Sequence, residues 1–521
     1  MMVIVSPVLL KSQISPTQSQ GGLTAPEARG KRIYLKGGGS SSREILAYLG
    51  DPSLEVPGST MACVNCHGRD GKGKAEGGVV PSNVTWQALT KPYEIGSPSG
   101  RKHPPYTERT LELAITRGRD PAGNKLLSIM PRYEMSPEDL SDLLAYMKRL
   151  GDERERGVSE TEITIGVIVP GPGPLAPLGE AIKSMNTAFF EEINAQGGIY
   201  SRKIKLKFIE TASTPAETMR NVNRFIEEQQ IFAFANSFTA GADNELSDLM
   251  KQAEVPLVGP ITLQPQLNNS ANGYVFYIVS GTDGQARVLV DFAITQSPEV
   301  KNGVLIVCQE NALAENVKKA ITDQCAKKGC GAVEPVNYKS NAFDAGTLTA
   351  DLRKRNKNVV FFMGPSAEAL ALLKEADKSG WRPLVLVPGG LGNELFDAPL
   401  GFKEKLFFSL PISPSNQTVS GLSEYGRIAA RHKLPQSHLA TQLMVLSGAK
   451  VLVEGLKRSG KDLTVDSLIE SLQTLSEFST GLTPPVTYGP NRRIGAIGGY
   501  VVGVDLEKRK FVPVGNWRNI D

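Results

Sequence analysis

Cys63-Val64-Asn65-Cys66-His67 constrains this chain more than any other stretch. Two cysteines three positions apart, followed at once by a histidine, put two thiols and an imidazole on about one helical turn. At this spacing the thiols can add to the two vinyl groups of one haem while the histidine reaches its iron. Alone, the pattern equally suits a thiol redox pair or half of a zinc site. Its surroundings favour haem. Gly68-Arg69-Asp70-Gly71-Lys72-Gly73 follows directly, and a second candidate iron ligand, Met130, stands 63 residues beyond His67 in Ser128-Ile129-Met130-Pro131-Arg132-Tyr133. A chain using both must fold so that residues 63–67 and 130 meet on one iron.

Met130 has rivals. Met147 fits an apolar stripe with Leu140, Leu143, Leu144 and Leu150, the buried face of a helix over 137–150, and Met135 sits against the start of that helix. Ser136 is the expected N-cap, with Pro137 at the first helical position and Asp139 able to reach back. Met130 precedes a proline in a loop, where a thioether can extend to the iron. His103, in Arg101-Lys102-His103-Pro104-Pro105, is the other candidate and reads as a surface-loop histidine. No strand precedes the glycines of 68–78, so they read as loop flexibility and not as a phosphate cradle.

The chain's 521 residues exceed one core and suggest roughly three or four domain-sized units. A helical opening over 25–36 and the helix over 137–150 bracket a small haem domain. Gly151-Asp-Glu-Arg-Glu-Arg-Gly157 is charged and aperiodic, the expected linker, placed at 151–161. From 162 the pattern becomes alternating strand and helix. Apolar runs at 163–169, 204–209, 231–235, 255–258, 304–308, 359–362 and 384–387 alternate with helical stretches such as 215–228 and 243–252. This predicts parallel sheets covered by helices, in two lobes, with a ligand cleft at the carboxyl ends of the strands.

The net charge of +4 is uneven: residues 1–150 carry 19 Lys/Arg against 14 Asp/Glu, the remainder 39 against 40. The excess reads as solvated surface, and no basic tract with interleaved aromatics suggests nucleic acid. No run of 18 apolar residues is present. Residues 1–24 are expected to be disordered or the remnant of a signal segment: the apolar run 1–10 lacks a preceding basic residue and Lys11 closes it early, which suggests a truncated or misassigned start. Haem attached through cysteines argues for export to the periplasm. Cys308 lies in an apolar run and reads as a buried strand residue, while Cys325 and Cys330 can bridge if the helix end between them turns back. No Ser/His/Asp triad, paired carboxylates or zinc spacing is apparent, and His432 and His438 lie in a polar, loop-like stretch, so neither an enzyme nor a second metal site is expected.

Residues 29–150, by the attachment motif, the Met-Pro and the following helix, resemble a class I cytochrome c. The resemblance implies a small all-α domain with one covalently bound haem c, Cys63 and Cys66 forming thioethers, and His67 and Met130 as axial iron ligands. Such six-coordinate iron carries electrons without binding substrate. Pro81 is expected to position the carbonyl that accepts the histidine N–H.

Residues 162–517 resemble the type I periplasmic solute-binding proteins of the branched-chain amino acid and amide group. The resemblance rests on the strand 163–169 with loop Gly171–Gly179, on Phe190-Phe-Glu-Glu-Ile-Asn-Ala-Gln-Gly-Gly-Ile-Tyr200, on Asn236-Ser237-Phe238-Thr239-Ala240 and on Val255-Pro-Leu-Val-Gly-Pro-Ile-Thr262. It implies a two-lobed α/β fold over 162–521, with Ser237, Thr239, Ala240 and Thr262 toward a ligand carboxylate. Two departures stand against an α-amino acid: no aromatic in Gln309-Glu-Asn-Ala-Leu-Ala-Glu315, and no acidic residue in Pro388-Gly-Gly-Leu-Gly392. The expectation is a periplasmic electron carrier whose fused domain docks a redox partner, such as a dehydrogenase or terminal acceptor, or senses a small molecule. The alternative is a solute-binding protein serving an ABC transporter permease.

Overall fold

The computed structural model describes residues 23–39, 44–50, 52–73, 78–96, 100–151, 155–265, 273–389, 392–413 and 417–520. The expected leader 1–24 therefore lies outside the described residues except for its last two. The chain forms two compact units, Met1–Arg154 and Glu155–Asp521.

In the first unit, helix Ala25–Lys36 opens with Thr24 accepting from the Glu27 N–H and Glu27 returning the bond, and closes on Gly37 at φ 65°. It packs on helix Pro137–Met147, which Ser136 caps by accepting from the Asp139 N–H. That helix ends at Met147, three residues before the end of the apolar stripe, and Leu150 is buried beyond it. The two helices touch through Gly30, where a Cβ would lie 2.0 Å from the Asp142 carbonyl oxygen. Beside the contact, Arg29 grips the Asp142 carboxylate through Nε at 2.6 Å and Nη2 at 2.8 Å. The unit also carries a small antiparallel sheet, with Leu46–Leu49 between Leu54–Pro57 and Arg132–Glu134. These strands are too short to show a period of two, so only helices are legible there.

Of the expected linker, residues 152–154 lie outside the described residues, and residues 155–161 belong to the second unit. The Glu155 carboxylate accepts from the Val465 N–H at 3.1 Å, and Arg156 bonds Glu227 and the Ala253 carbonyl. The second unit has two lobes. Six parallel strands form the first, in the order Ile494–Ala496, Val275–Val279, Leu257–Val258, Ala233–Ala235, Glu162–Val169, Lys203–Glu210. In the second lobe Val333–Tyr338, Val304–Gln309, Val359–Met363, Leu384–Pro388 and Leu406–Leu410 run parallel, and Gly498–Asp505 and Lys510–Pro513 add antiparallel strands.

Helix Leu439–Ser459 is long and apolar enough to cross a membrane by length and composition, yet it is a core helix of the first lobe, burying Leu443, Val445, Leu446, Val451, Leu452 and Leu456. Truncating any of these leucines to alanine would cost about 2–5 kcal/mol. Of the two histidines expected in a loop-like stretch, His432 instead ends helix Val419–His432, while His438 does lie in the connecting loop, at φ 56° just before Leu439–Ser459.

Among the described residues the chain passes between lobes three times, after Val279, after Leu410 and at Ile497. Ser280 ties the first and third passages, its Oγ donating to the Gly498 carbonyl at 2.7 Å and accepting from the Gly498 N–H at 3.3 Å.

Candidate functional site

In the first unit, the single turn Val64–His67 puts Cys63, Cys66 and His67 on one cavity, closing with the His67 N–H on the Cys63 carbonyl at 2.9 Å. Gly68 leaves the turn at φ 72°, and Tyr34 Oη donates to its carbonyl at 2.7 Å. The glycines beyond it are conformational requirements more than flexible spacers. Gly73 lies at φ 88°, where a Cβ would come within 2.4 Å of the Pro81 oxygen. This close approach carries the 81–83 segment past the histidine. His67 is 8 % exposed, and its Nδ1 is 2.9 Å from the Ser82 carbonyl, one residue beyond Pro81. A carbonyl only accepts, so Nδ1 carries the hydrogen and Nε2 is the ring nitrogen left to coordinate. Burial holds His67 below the usual histidine range, with the Ser82 bond opposing.

The cavity measures about 800 Å³, within the range that buries a cofactor-sized ligand. Met130 lines it from the turn ahead of strand Arg132–Glu134, and Tyr133 Oη anchors that strand on the Met61 carbonyl at 2.5 Å. Leu111, Ile115, Leu143 and Met147 supply apolar wall. Burial pushes the Cys63 thiol up to about 11, so this cysteine is no exposed redox thiolate. A cavity of this volume with two thiols, a tautomer-fixed imidazole and a thioether on one lining fits a covalently held haem.

His103 is not on a surface loop. It is 5 % exposed, lines the same cavity, and sits in the two-residue strand Lys102–His103 paired to Ile95–Gly96. Its polar neighbours hid the burial. The later Tyr106, whose ring meets the imidazole edge-on at a centroid distance of 5.0 Å, was the available signal.

In the second unit, the four residues expected around a ligand carboxylate do not act together. Ser237 is buried; its Oγ accepts from the Ile168 N–H at 3.0 Å and donates to the Ala235 carbonyl. It fastens two neighbouring strands. Thr239 Oγ1 donates to Asp243 Oδ1 at 2.7 Å, and Thr262 bonds the same carboxylate while accepting from the Gln264 N–H at 2.9 Å. Ala240 is half-buried beside them. Asp243, the first residue of helix Asp243–Ala253 and 8 % exposed, was missed in the sequence. Burial holds its carboxyl above the usual range, opposed by the Thr262 and Thr239 hydroxyls and the Gly241 N–H. The hydroxyls expected to hold a ligand's carboxylate thus serve one of the protein's own.

On the second lobe, Gln309 ends its strand, Asn311 caps helix Ala312–Lys328, and Glu315 pairs with Lys318 at 2.7 Å. Residues 390–391 lie outside the described residues. Cys308 is buried and meets Asn337 Oδ1 at 3.0 Å. Cys325 and Cys330 face each other across the turn at Gly329, φ 79°, and their thiols are in hydrogen-bond contact. That contact and burial hold Cys325 well above the usual thiol range, so the more exposed Cys330 ionises first.

The profile described as periplasmic binding protein matches residues 162–508, and that described as cytochrome c matches residues 58–151. Leu/Ile/Val-binding protein homolog 3 of Brucella melitensis is 29 % identical over 233 residues, covering 44 % of this chain and 62 % of that protein. Leu/Ile/Val-binding protein BraC3 of Rhizobium johnstonii is 24 % identical over 342 residues, covering 64 % and 89 %. Among solved structures, a branched-chain amino acid ABC transporter protein from Thermus thermophilus with bound valine aligns at TM-score 0.58 and 15 % identity, covering 70 % of this chain and 98 % of that one. A fatty acid ABC transporter substrate-binding protein from Thermomonospora curvata aligns at 0.57 and 17 %, covering 71 % and 96 %. These structural likenesses carry the fold alone. The chain belongs to the periplasmic binding protein family and bears a cytochrome c domain ahead of its two lobes.

Proposed function

We propose that this protein is an exported electron carrier, with one haem c in its first unit and a solute-sensing domain in its second, and that it is not an enzyme. The observation that carries the reading is the first unit's cavity, where Cys63, Cys66, His67 and Met130 share one lining. In this reading Cys63 and Cys66 would hold the group through thioethers, His67 and Met130 would be its iron ligands, and the Ser82 carbonyl keeps the His67 ring in the coordinating tautomer. Bound this way, haem supplies one-electron transfer without an open position for substrate. The redox partner is then a periplasmic dehydrogenase or a terminal acceptor.

For the second unit, relatives named for leucine, isoleucine and valine binding support a small solute. The Asp243 carboxylate among Thr239 and Thr262 favours a neutral or amine-bearing one, because like charges placed side by side cost several kcal/mol. The test uses the full-length exported protein. Haem retained through acid extraction supports the carrier, and haem lost sinks it. Solutes are then screened by melting shift, and the electron-transfer rate is followed as a hit is added. A second reading, a solute-binding protein delivering to an ABC transporter permease, is favoured by the extent of the 162–508 match. It gains if a solute binds tightly while the electron-transfer rate stays fixed.

A further inference from the structure

The cavity of the first unit holds a second imidazole placed as His67 is. His67 Nδ1 lies 2.9 Å from the Ser82 carbonyl, and His103 Nδ1 lies 2.9 Å from the Pro104 carbonyl. Both rings are buried and both line the one cavity. In each the carbonyl obliges Nδ1 to carry the hydrogen, which leaves Nε2 with its lone pair. An imidazole whose other nitrogen is tied to a carbonyl is the usual form of a metal-bound histidine, because that bond orients the ring and makes it a better ligand. No hydrogen bond engages His103 Nε2 among the described residues.

The rest of the segment holds the ring in place. His103 is registered against Ile95 in the short strand pair, and Tyr106 packs on it edge-on. Asp120 takes Arg101 Nη1 at 2.8 Å and the Ala122 and Asn124 N–H groups. Asn124 Nδ2 in turn donates to the Lys102 carbonyl at 3.3 Å. These contacts join the Lys102–His103 strand and the Arg101 before it to the 118–126 turn, which runs directly into Met130. One polar network therefore supports the His103 strand and the approach to the methionine.

The geometry points to His103 as a reserve iron ligand: Nε2 takes the sixth position when Met130 leaves it. The inference rests on the haem reading above. It makes the crevice a two-ligand site, with thioether ligation holding the higher potential and imidazole ligation the lower. No bond to carbon is made or broken. One neutral donor replaces another, and the total charge is unchanged.

The experiment uses the full-length haem-loaded protein as wild type, Met130→Ala, His103→Ala and the double variant. Ferric spin state is read by electron paramagnetic resonance, and added cyanide probes the sixth position. Met130→Ala is expected to stay low-spin, with a two-imidazole signal and cyanide binding at least about tenfold slower than in the double variant, which becomes high-spin. His103→Ala alone is expected to keep the thioether charge-transfer band. A high-spin Met130→Ala that takes cyanide as fast as the double variant overturns the inference. So does a double variant that remains low-spin, since Lys72 or Lys91, which also line the cavity, would then supply the ligand. A wild type already showing two imidazoles overturns it too, by making His103 the resident ligand. If Met130→Ala fails to load haem, partial guanidinium unfolding of wild type and His103→Ala gives the same comparison: loss of the thioether band with low spin retained only where His103 is present. Haem that extracts from wild type defeats the haem reading itself, and a high-spin Met130→Ala with retained haem defeats only the role of His103.

Discussion

Gly30→Ala gives a test in which two physical effects have opposite signs. In an exposed helix, glycine to alanine stabilises by about 1 kcal/mol through backbone entropy. At Gly30 the new Cβ would sit 2.0 Å from the Asp142 carbonyl oxygen, 2.6 Å from its carbon and 2.8 Å from Tyr146 Cβ. Two of these are backbone atoms of a packed helix, so no side chain can swing clear. Reaching ordinary contact near 3.4 Å requires helices Ala25–Lys36 and Pro137–Met147 to part by more than an ångström. Overpacking of this kind costs about 1–3 kcal/mol, and separation also loosens the Arg29–Asp142 pair, a minor contribution because Arg29 is partly exposed. The clash outweighs the propensity gain. With backbone atoms in the way the clash falls near the upper end of that range, so a net loss of about 1–2 kcal/mol is expected, lowering the unit's midpoint by roughly 4–8 °C. Thermal unfolding of the full-length haem-loaded protein, followed at the haem absorbance, reads the first unit separately from the second. A midpoint equal to wild type or higher would refute the helix contact, and Arg29→Ala, expected to shift it by only a few degrees, separates the ion pair from the clash.

Three further outcomes are expected. Glu192, held down to about 2 by the Arg431 and Arg427 guanidinium bonds, contributes stability that is complete above about pH 4.5 and lost as pH falls toward 2. Glu192→Gln should flatten that acid limb and cost about 1 kcal/mol at neutral pH, discounted because both arginines are exposed; an unchanged acid melting profile would refute it. Asp243 has the opposite sign: its raised carboxyl costs the fold stability as pH rises past 3.8 through the folded value, so Asp243→Asn should remove that decline. The same variant should tighten binding of leucine-like carboxylate solutes at least about tenfold, and calorimetry showing equal affinities would count against the displaced-carboxylate reading. Finally, Cys325 and Cys330 should oxidise together under air. Intact mass should then show two hydrogens lost, and alkylation should be blocked at both sites, whereas two alkylated thiols in the oxidised protein would exclude the bridge.

The features legible in the sequence are local or periodic. The Cys63–His67 turn is contiguous, and the central strands of both lobes are apolar runs because helices cover their sheets. The features that escape it depend on convergence. Thr239 and Thr262 sit 23 positions apart on loops after neighbouring strands, and only the folded sheet shows both bonded to Asp243. His103 reads as exposed because Arg101, Lys102 and Pro104 surround it; its burial comes from a two-residue strand pair too short to leave a pattern. The acceptor for His67 falls at Ser82 because the Gly73 approach is set by Pro81, which moves the bonding carbonyl one residue along.

The three passages between lobes decide which pieces of this gene can be exchanged. Residues 162–279 and the stretch from 411 to 496 build the first lobe, while 280–410 and 498–520 build the second. No single cut yields either lobe whole, and recombination inside this region would leave sheets short of strands. The cytochrome c unit is one uninterrupted stretch ending by Arg154. One crossover near that residue suffices to add, remove or replace it, so the cytochrome c domain can be traded by inheritance while the two-lobed domain passes on only intact.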